Sequence, residues 1–260
     1  MALFLRSNLL SICNLHQILP MYLTIDAGNT FVKLLIFRDH VPVFRDVRKG
    51  LTIRYLQSIF RKFEIDGAMI SSVINLDAGV RKFLREKKIM EFTSGTAIPL
   101  KNKYKTPQTL GKDRLANAVA AAFLFPGKDV LVIDAGTCLK FDFVEKGKNY
   151  LGGSISPGVD MRFEALHLLT DKLPLTEAVP SNKLIGNTTV TAIQSGVFNG
   201  ITGEIESVIL RYRKLYPSLR VILTGGDAEL LAGQLNLSIF AASDLVNLGL
   251  NEIIEYNRNK

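Results

Sequence analysis

The tetrapeptide Ile-Asp-Ala-Gly occurs twice in this chain, at Ile25–Gly28 and at Ile133–Gly136. Each copy ends an apolar run and leads into a second strand-like run. The first reads Leu23-Thr-Ile-Asp26-Ala27-Gly28-Asn29-Thr30-Phe31-Val32-Lys33-Leu-Leu-Ile-Phe37, and the second Val130-Leu-Val-Ile-Asp134-Ala-Gly136-Thr137-Cys138-Leu-Lys140-Phe-Asp142-Phe-Val144. A strand, an acidic glycine-bearing turn and a second strand, repeated in the second half of the chain, predict two related halves facing each other. Such a pair suits a nucleotide held between the turns. Glycine lets backbone approach phosphate oxygens closely, and successive N–H groups in a tight turn form an anion-binding concavity. An aspartate repels phosphate, so its natural partner is a cation travelling with the nucleotide.

At 260 residues the chain has room for one large or two medium domains with a substantial core. The net charge of +8 is spread along the chain, with no run of five basic residues and no interleaved aromatics, which argues against nucleic acid. A diffuse positive field attracts a carboxylate substrate and a polyphosphate nucleotide equally well. Cys13 and Cys138 are too few for a disulfide framework, and His16, His40 and His167 are isolated, so metal-histidine and serine–histidine chemistry lack support. Cys138 reads as a small half-buried strand residue. No apolar run is long enough to span a membrane, and a reducing cytoplasm is the expected compartment. Residues 1–20 carry no signal-peptide core, and Met21 directly before the first motif strand suggests a translation start placed too far upstream.

Along the chain, hydrophobic periodicity predicts helices at residues 52–63, 78–88, 114–125, 160–169, 190–206 and 245–257, with buried strands at 67–73 and 220–224. Residues 99–113 and 150–159, rich in Gly, Pro and polar side chains, read as loops. Gly196, Gly200 and Gly203 in one helix suggest a tight neighbour or a break. Alternating strands and helices place the chain in the α/β class with mixed sheets. The boundary is expected where Pro126-Gly127 precedes the second motif, giving domains 21–127 and 128–260.

No P-loop or Gly-x-Gly-x-x-Gly motif is present, so the two Asp-Ala-Gly turns are the candidate nucleotide grip. Asp26 is placed to hold a hydrated Mg²⁺, with the Gly28–Thr30 N–H groups and the Thr30 hydroxyl on phosphate. Lys33 either adds a point charge there or points to solvent. Asp134 and Thr137 would approach from the other side, with a second cation on Asp134. At Gly111-Lys112-Asp113-Arg114 a loop enters a helix. Asp113 either caps that helix or accepts the proton of an attacking hydroxyl, and Arg114 suits a substrate carboxylate. Tyr104 and Thr189 stand open between site and ordinary loop or capping roles, as do Gly225-Gly226 between an adenine pocket and a plain turn.

Together these motifs resemble the type III pantothenate kinases of the acetate/sugar kinase, heat-shock chaperone and actin superfamily. The resemblance runs over about residues 21–255 and is carried by Asp26-Ala-Gly-Asn-Thr30 with Lys33, Tyr104-x-x-Pro107-x-x-x-Gly111-x-Asp113-Arg114, Asp134-Ala-Gly-Thr137, Gly152-Gly-x-Ile-x-Pro-Gly158, Gly186-x-x-Thr189 before Gln194-Ser-Gly196, Thr224-Gly-Gly226, and Asp244-Leu-Val-x-x-Gly249-Leu. It implies duplicated actin-like (ribonuclease H-like) domains with mixed sheets flanked by helices, usually as a homodimer. The implied reaction is ATP-dependent phosphorylation of pantothenate, the first step toward coenzyme A. By the same resemblance Asp26, Ala27, Gly28, Asn29, Thr30, Phe31, Val32 and Lys33 form the first nucleotide loop, and Thr137 contacts ATP. Asp113 is the proton acceptor, while Tyr104, Gly111, Lys112, Asp113, Arg114 and Thr189 line the pantothenate site. Asp134 holds a monovalent cation, K⁺ or NH₄⁺, and Mg²⁺ accompanies the nucleotide.

The chain departs from that pattern at two places. Where relatives commonly carry Ala and, two residues on, a second Thr after the Thr matching Thr137, this chain has Cys138 and Lys140. Lys140 either brings positive charge to Asp134 or points outward. The N-terminal extension is also foreign to the family. Two other readings compete: a sugar or polyphosphate enzyme of the same superfamily, disfavoured by Arg114 beside Asp113, and a non-catalytic nucleotide-binding regulator, disfavoured by the presence of Asp113.

Overall fold

The first copy of the repeat closes strand β1 (Met21–Ala27) and turns into β2 (Val32–Arg38), which continues into β3 (Val41–Arg48). A computed structural model describes residues 19–235, 237 and 239–258. Residues 1–18 of the N-terminal extension, with Cys13 and His16, lie outside the described residues. After helix α1 (Ile53–Lys62), strand β4 (Gly67–Ser72) joins β1 in parallel. Helix α2 (Ala78–Glu86) then leads to β5 (Met90–Glu91), completing a sheet of order β3-β2-β1-β4-β5. A short strand, β6 (Lys101–Asn102), and helix α3 (Lys112–Leu124) precede the second copy.

That copy repeats the plan. Strands β7 (Val130–Ala135), β8 (Cys138–Glu145) and β9 (Asn149–Pro157) form an antiparallel meander, and β7 pairs in parallel with β10 (Arg220–Thr224), which pairs with β11 (Phe240–Ala241). Strand for strand, β9-β8-β7-β10-β11 reproduces β3-β2-β1-β4-β5, with β6 added outside β9. Helices α4 (Val159–Leu168), α5 (Thr189–Leu215), α6 (Ala228–Ala232) and α7 (Leu245–Arg258) complete the chain. This is the duplicated α/β architecture that the repeat predicts.

Alternating side chains explain how the layers stack. On β7, Val130 and Val132 join a core with Tyr22 and Met69 of the first sheet and with α3 and α7. Leu131 and Ile133 face the other way, onto α4 and α5. The outer face of the first sheet, with Leu23 and Ile25, packs on α1 and α2. α3 and α7 therefore lie between the two sheets, which is why α3 is apolar nearly all round. They approach closely at Gly249, where a Cβ would overlap the Ala116 carbonyl. Gly249→Ala is expected to destabilise the protein by about 3 kcal/mol through overpacking; an unchanged urea midpoint would contradict this contact.

The two halves exchange elements. Strand β6 pairs with β9 of the second sheet, whereas α7 packs on β1 and β4 of the first. Asn247 of α7 donates to the Thr24 hydroxyl at 3.1 Å.

Two local expectations are corrected. Residues 150–159 form most of β9 and not a loop, because the glycines serve close packing: a Cβ on Gly153 would overlap the Phe141 carbonyl. Helix α5 runs on to Leu215 without a break. Gly196 and Gly203 have open space where a side chain would stand. The helix is held by its buried stripe Ile193, Val197, Ile201, Ile205 and Ile209, which outweighs about 1 kcal/mol of intrinsic penalty per glycine.

Candidate active site

Each Asp-Ala-Gly motif ends its strand at the same sheet position, so Asp26 and Asp134 are structural counterparts. Asp26 is the register partner of Lys33 across β1 and β2, and Asp134 that of Lys140 across β7 and β8. The turns that follow are tight: the Gly28 N–H donates to the Phe31 carbonyl at 3.0 Å, and the Gly136 N–H to the Cys138 carbonyl at 3.2 Å. Asn29, Thr30, Phe31 and Thr137 are exposed there, whereas Ala27 and Val32 are buried strand residues that hold the loop from below. A third turn, Gly225-Gly226-Asp227, adjoins the second: the Asp227 N–H donates to the Ala135 carbonyl at 2.9 Å.

Asp113 enters from α3. The helix is capped by Gly111 without a side-chain bond, so the Asp113 carboxylate does not serve as the cap. It accepts instead from Lys140 Nζ at 2.6 Å. The same ammonium lies 2.8 Å from Asp134 Oδ2, and Asn117, one turn further along α3, reaches that oxygen at 3.4 Å. Lys140 therefore points into the site. Burial opposes its charge, but Asp134 and Asp113 outweigh that and hold its pKa above the usual lysine value.

Asp26 completes the acidic group. Burial pushes its pKa up to about 7; Lys33 and Lys140 oppose the rise, and Asp113 and Asp134 add to it. An aspartate raised in the folded state takes up a proton on folding between its unfolded value, 3.8, and its folded one, so stability falls as pH rises through that window. Asp26→Asn is therefore expected to stabilise the nucleotide-free protein above pH 7 by on the order of 2 kcal/mol, and hardly at all near pH 4. Urea titrations at the two pH values check this, and an equal gain at both would contradict it.

Arg114 is buried, and its Nε and Nη2 grip Asp142 at 3.0 and 2.7 Å. The Tyr150 hydroxyl donates to Asp142 at 2.7 Å, and the Tyr104 ring lies 5.7 Å from the Arg114 guanidinium carbon. Neither Asp142 nor Tyr150 was singled out from the sequence. The available signal was alternation on β8: Lys140 and Asp142 share a face and meet the consecutive α3 residues Asp113 and Arg114 with opposite charges.

The remaining expected residues lie around this centre or away from it. Lys33 Nζ donates to the Ser243 carbonyl at 2.8 Å, with Asp244 at 3.9 Å. The Lys112 side chain reaches Glu91 at 3.5 Å. Thr188, not Thr189, caps α5, in a box with Thr191. Thr189 is exposed and lines a groove of about 890 Å³ with Arg162, Leu166, Leu169, Ile193 and Val197, apart from the carboxylates. Cys138 is half-buried, its Sγ 3.9 Å from Met161 Sδ. Among the described residues no three His, Cys, Asp or Glu side chains stand close enough to enclose a metal ion.

Two Asp-Ala-Gly turns, a helix-borne carboxylate and a duplicated sheet are an arrangement that could serve phosphoryl transfer, and comparison with known proteins narrows the reaction. The family model for type III pantothenate kinase matches residues 22–211. The chain belongs to the type III pantothenate kinase family. Type III pantothenate kinases of Christiangramia forsetii and Phocaeicola vulgatus are 41% and 45% identical to it over 243 and 241 residues. They cover 92% and 91% of this chain, and the alignments span 100% and 99% of the relatives. The fold is shared more widely. A Campylobacter jejuni protein described as a Baf family transcriptional activator superposes with TM-score 0.59 at 21% identity, covering 92% of this chain and 100% of its own. Component A of (R)-2-hydroxyglutaryl-CoA dehydratase from Acidaminococcus fermentans superposes with TM-score 0.51 at 16% identity, covering 92% and 98%. As a member of a kinase family the chain is a transferase that uses ATP with a divalent metal.

Proposed function

We propose that this pantothenate kinase family member transfers the γ-phosphoryl of ATP to the terminal hydroxyl of pantothenate, giving 4′-phosphopantothenate at the first step of coenzyme A synthesis. The observation that carries the reading is Asp113, presented by the helix between two repeated Asp-Ala-Gly turns and bridged to Asp134 through Lys140. Asp113 accepts the hydroxyl proton as the oxygen attacks. The exposed Asn29 and Thr30, through their N–H groups and the Thr30 hydroxyl, with Thr137 opposite, orient the phosphates, and phosphoryl transfer asks chiefly for such positioning and charge balance. The Gly225-Gly226 turn beside them has the small surface an adenine ring needs.

A divalent ion fits beside Asp26, whose carboxylate is partly buried and lacks a compensating contact strong enough to keep its pKa low. With no all-protein cage among the described residues, Mg²⁺ suits this site through water and nucleotide oxygens, where it would neutralise phosphate charge. Tyr104, the Gly111–Lys112 backbone and Arg114 form the acceptor side. Because Arg114 is balanced by Asp142, it offers pantothenate's carboxylate a fixed hydrogen-bonding edge and not a free charge.

No described helix is long and apolar enough to cross a membrane, and the substrates are small and water-soluble, which supports a cytoplasmic enzyme. A homodimer is supported by the exposed apolar residues Leu168, Leu169, Leu184 and Ile185 near the Thr189 groove; a monomer mass in light scattering would refute it. The reaction is tested by ADP release from Mg–ATP with and without pantothenate. Pantothenate-dependent release is expected, whereas ATP binding without turnover would favour the regulator reading.

A further inference from the structure

The family resemblance puts a monovalent cation on Asp134, yet the residues present do not fit one. The Asp134 oxygen such an ion would use already has an ammonium 2.8 Å away, and the same nitrogen lies 2.6 Å from Asp113. We propose that Lys140 is a built-in monovalent cation: its ammonium takes the ion's place between Asp134 and Asp113, so turnover needs no added K⁺ or NH₄⁺.

Three features carry this. First, the backbone fixes the lysine: Lys140 and Asp134 are register partners on adjacent antiparallel strands, so their side chains leave the same face side by side. Second, the counterpart in the other half behaves differently. Lys33 is the register partner of Asp26, but its ammonium goes to the Ser243 carbonyl, leaving Lys140 as the lysine that bridges two site carboxylates. Third, the chemistry matches. A lysine ammonium is a compact, strongly hydrated point charge with three donors, equivalent to an ammonium ion on a tether. A tethered ion requires no binding equilibrium and fixes the Asp113 carboxylate where the acceptor hydroxyl must arrive.

The inference rests on the kinase reading, and the test separates the two. Pantothenate-dependent ADP release by the wild-type protein is measured with Mg–ATP in tetramethylammonium, sodium, potassium and ammonium chlorides of equal ionic strength. Equal rates within about twofold are expected; a loss on the order of 10-fold or more in tetramethylammonium relative to potassium would overturn the proposal. Lys140→Ala is expected to lose on the order of 10²-fold in tetramethylammonium and to recover in potassium, ammonium or methylammonium. Full activity of Lys140→Ala without a small cation, or a folded variant that no small cation rescues, would also overturn it. The melting temperature without substrates gives a reading independent of turnover. It should be the same for the wild type in potassium and tetramethylammonium, and should rise with potassium for Lys140→Ala. If no salt supports pantothenate-dependent turnover, the kinase reading fails, and the wild-type melting series still decides: a rise with potassium would show an ion site that Lys140 does not fill.

Discussion

Asp113→Asn is expected to lower kcat by about 10²–10⁴-fold, the usual contribution of a positioned proton acceptor, while binding of Mg–ATP stays near the wild-type level. The two side chains have the same shape, and asparagine can still accept from Lys140, which keeps its 2.8 Å contact with Asp134. The turns proposed to hold the phosphates lie on other elements, β1–β2 and β7–β8, and do not depend on this side chain. Isothermal titration with a non-hydrolysable ATP analogue, alongside steady-state kinetics, separates the two effects. Near-normal kcat would remove Asp113 from its role. Equal loss of turnover and nucleotide affinity would make it a structural or metal-side group.

Arg114→Ala is expected to have the largest effect on stability, about 3–5 kcal/mol, because it leaves the fully buried Asp142 carboxylate with the Tyr150 hydroxyl as its main remaining partner. Burial raises the pKa of Asp142, and Arg114 is the principal influence holding it down. Without the arginine the carboxyl protonates more readily, so the deficit should shrink as pH falls. Denaturation of wild type and variant at neutral and mildly acidic pH measures this; a deficit independent of pH would contradict the account of the pair. In whatever fraction folds, the KM for pantothenate should rise far more than the KM for ATP. Equal rises would move Arg114 to the nucleotide side.

Much of this site was legible in the sequence because its geometry is local. An apolar run ending in Asp-Ala-Gly and followed by another apolar run specifies a hairpin with an acidic, glycine-bearing turn, and the second copy specifies the second sheet. The position of Asp113 and Arg114 at a loop-to-helix junction was equally local. What stayed hidden depends on tertiary pairing. Asp142 reads as one polar residue in an apolar strand until β8 is laid against α3, and only then does it become the partner that fixes Arg114. The direction of Lys140 was open for the same reason: period-two alternation gives two faces, and the register with Asp134 chooses one. Residues 150–159 misled through composition, since glycines that admit a neighbouring strand resemble glycines that make turns. The packing of α7 onto the first sheet and of β6 into the second follows from the stacking of the layers and has no local signature.

The most direct test of the central claim is transfer of label from γ-phosphate-labelled ATP to pantothenate, with the product identified by mass spectrometry in wild-type protein and in Asp113→Asn. The account predicts labelled 4′-phosphopantothenate from the wild type and almost none from the variant at matched ATP occupancy. Label appearing on another acceptor, or on pantothenate at the same rate in both proteins, would contradict it.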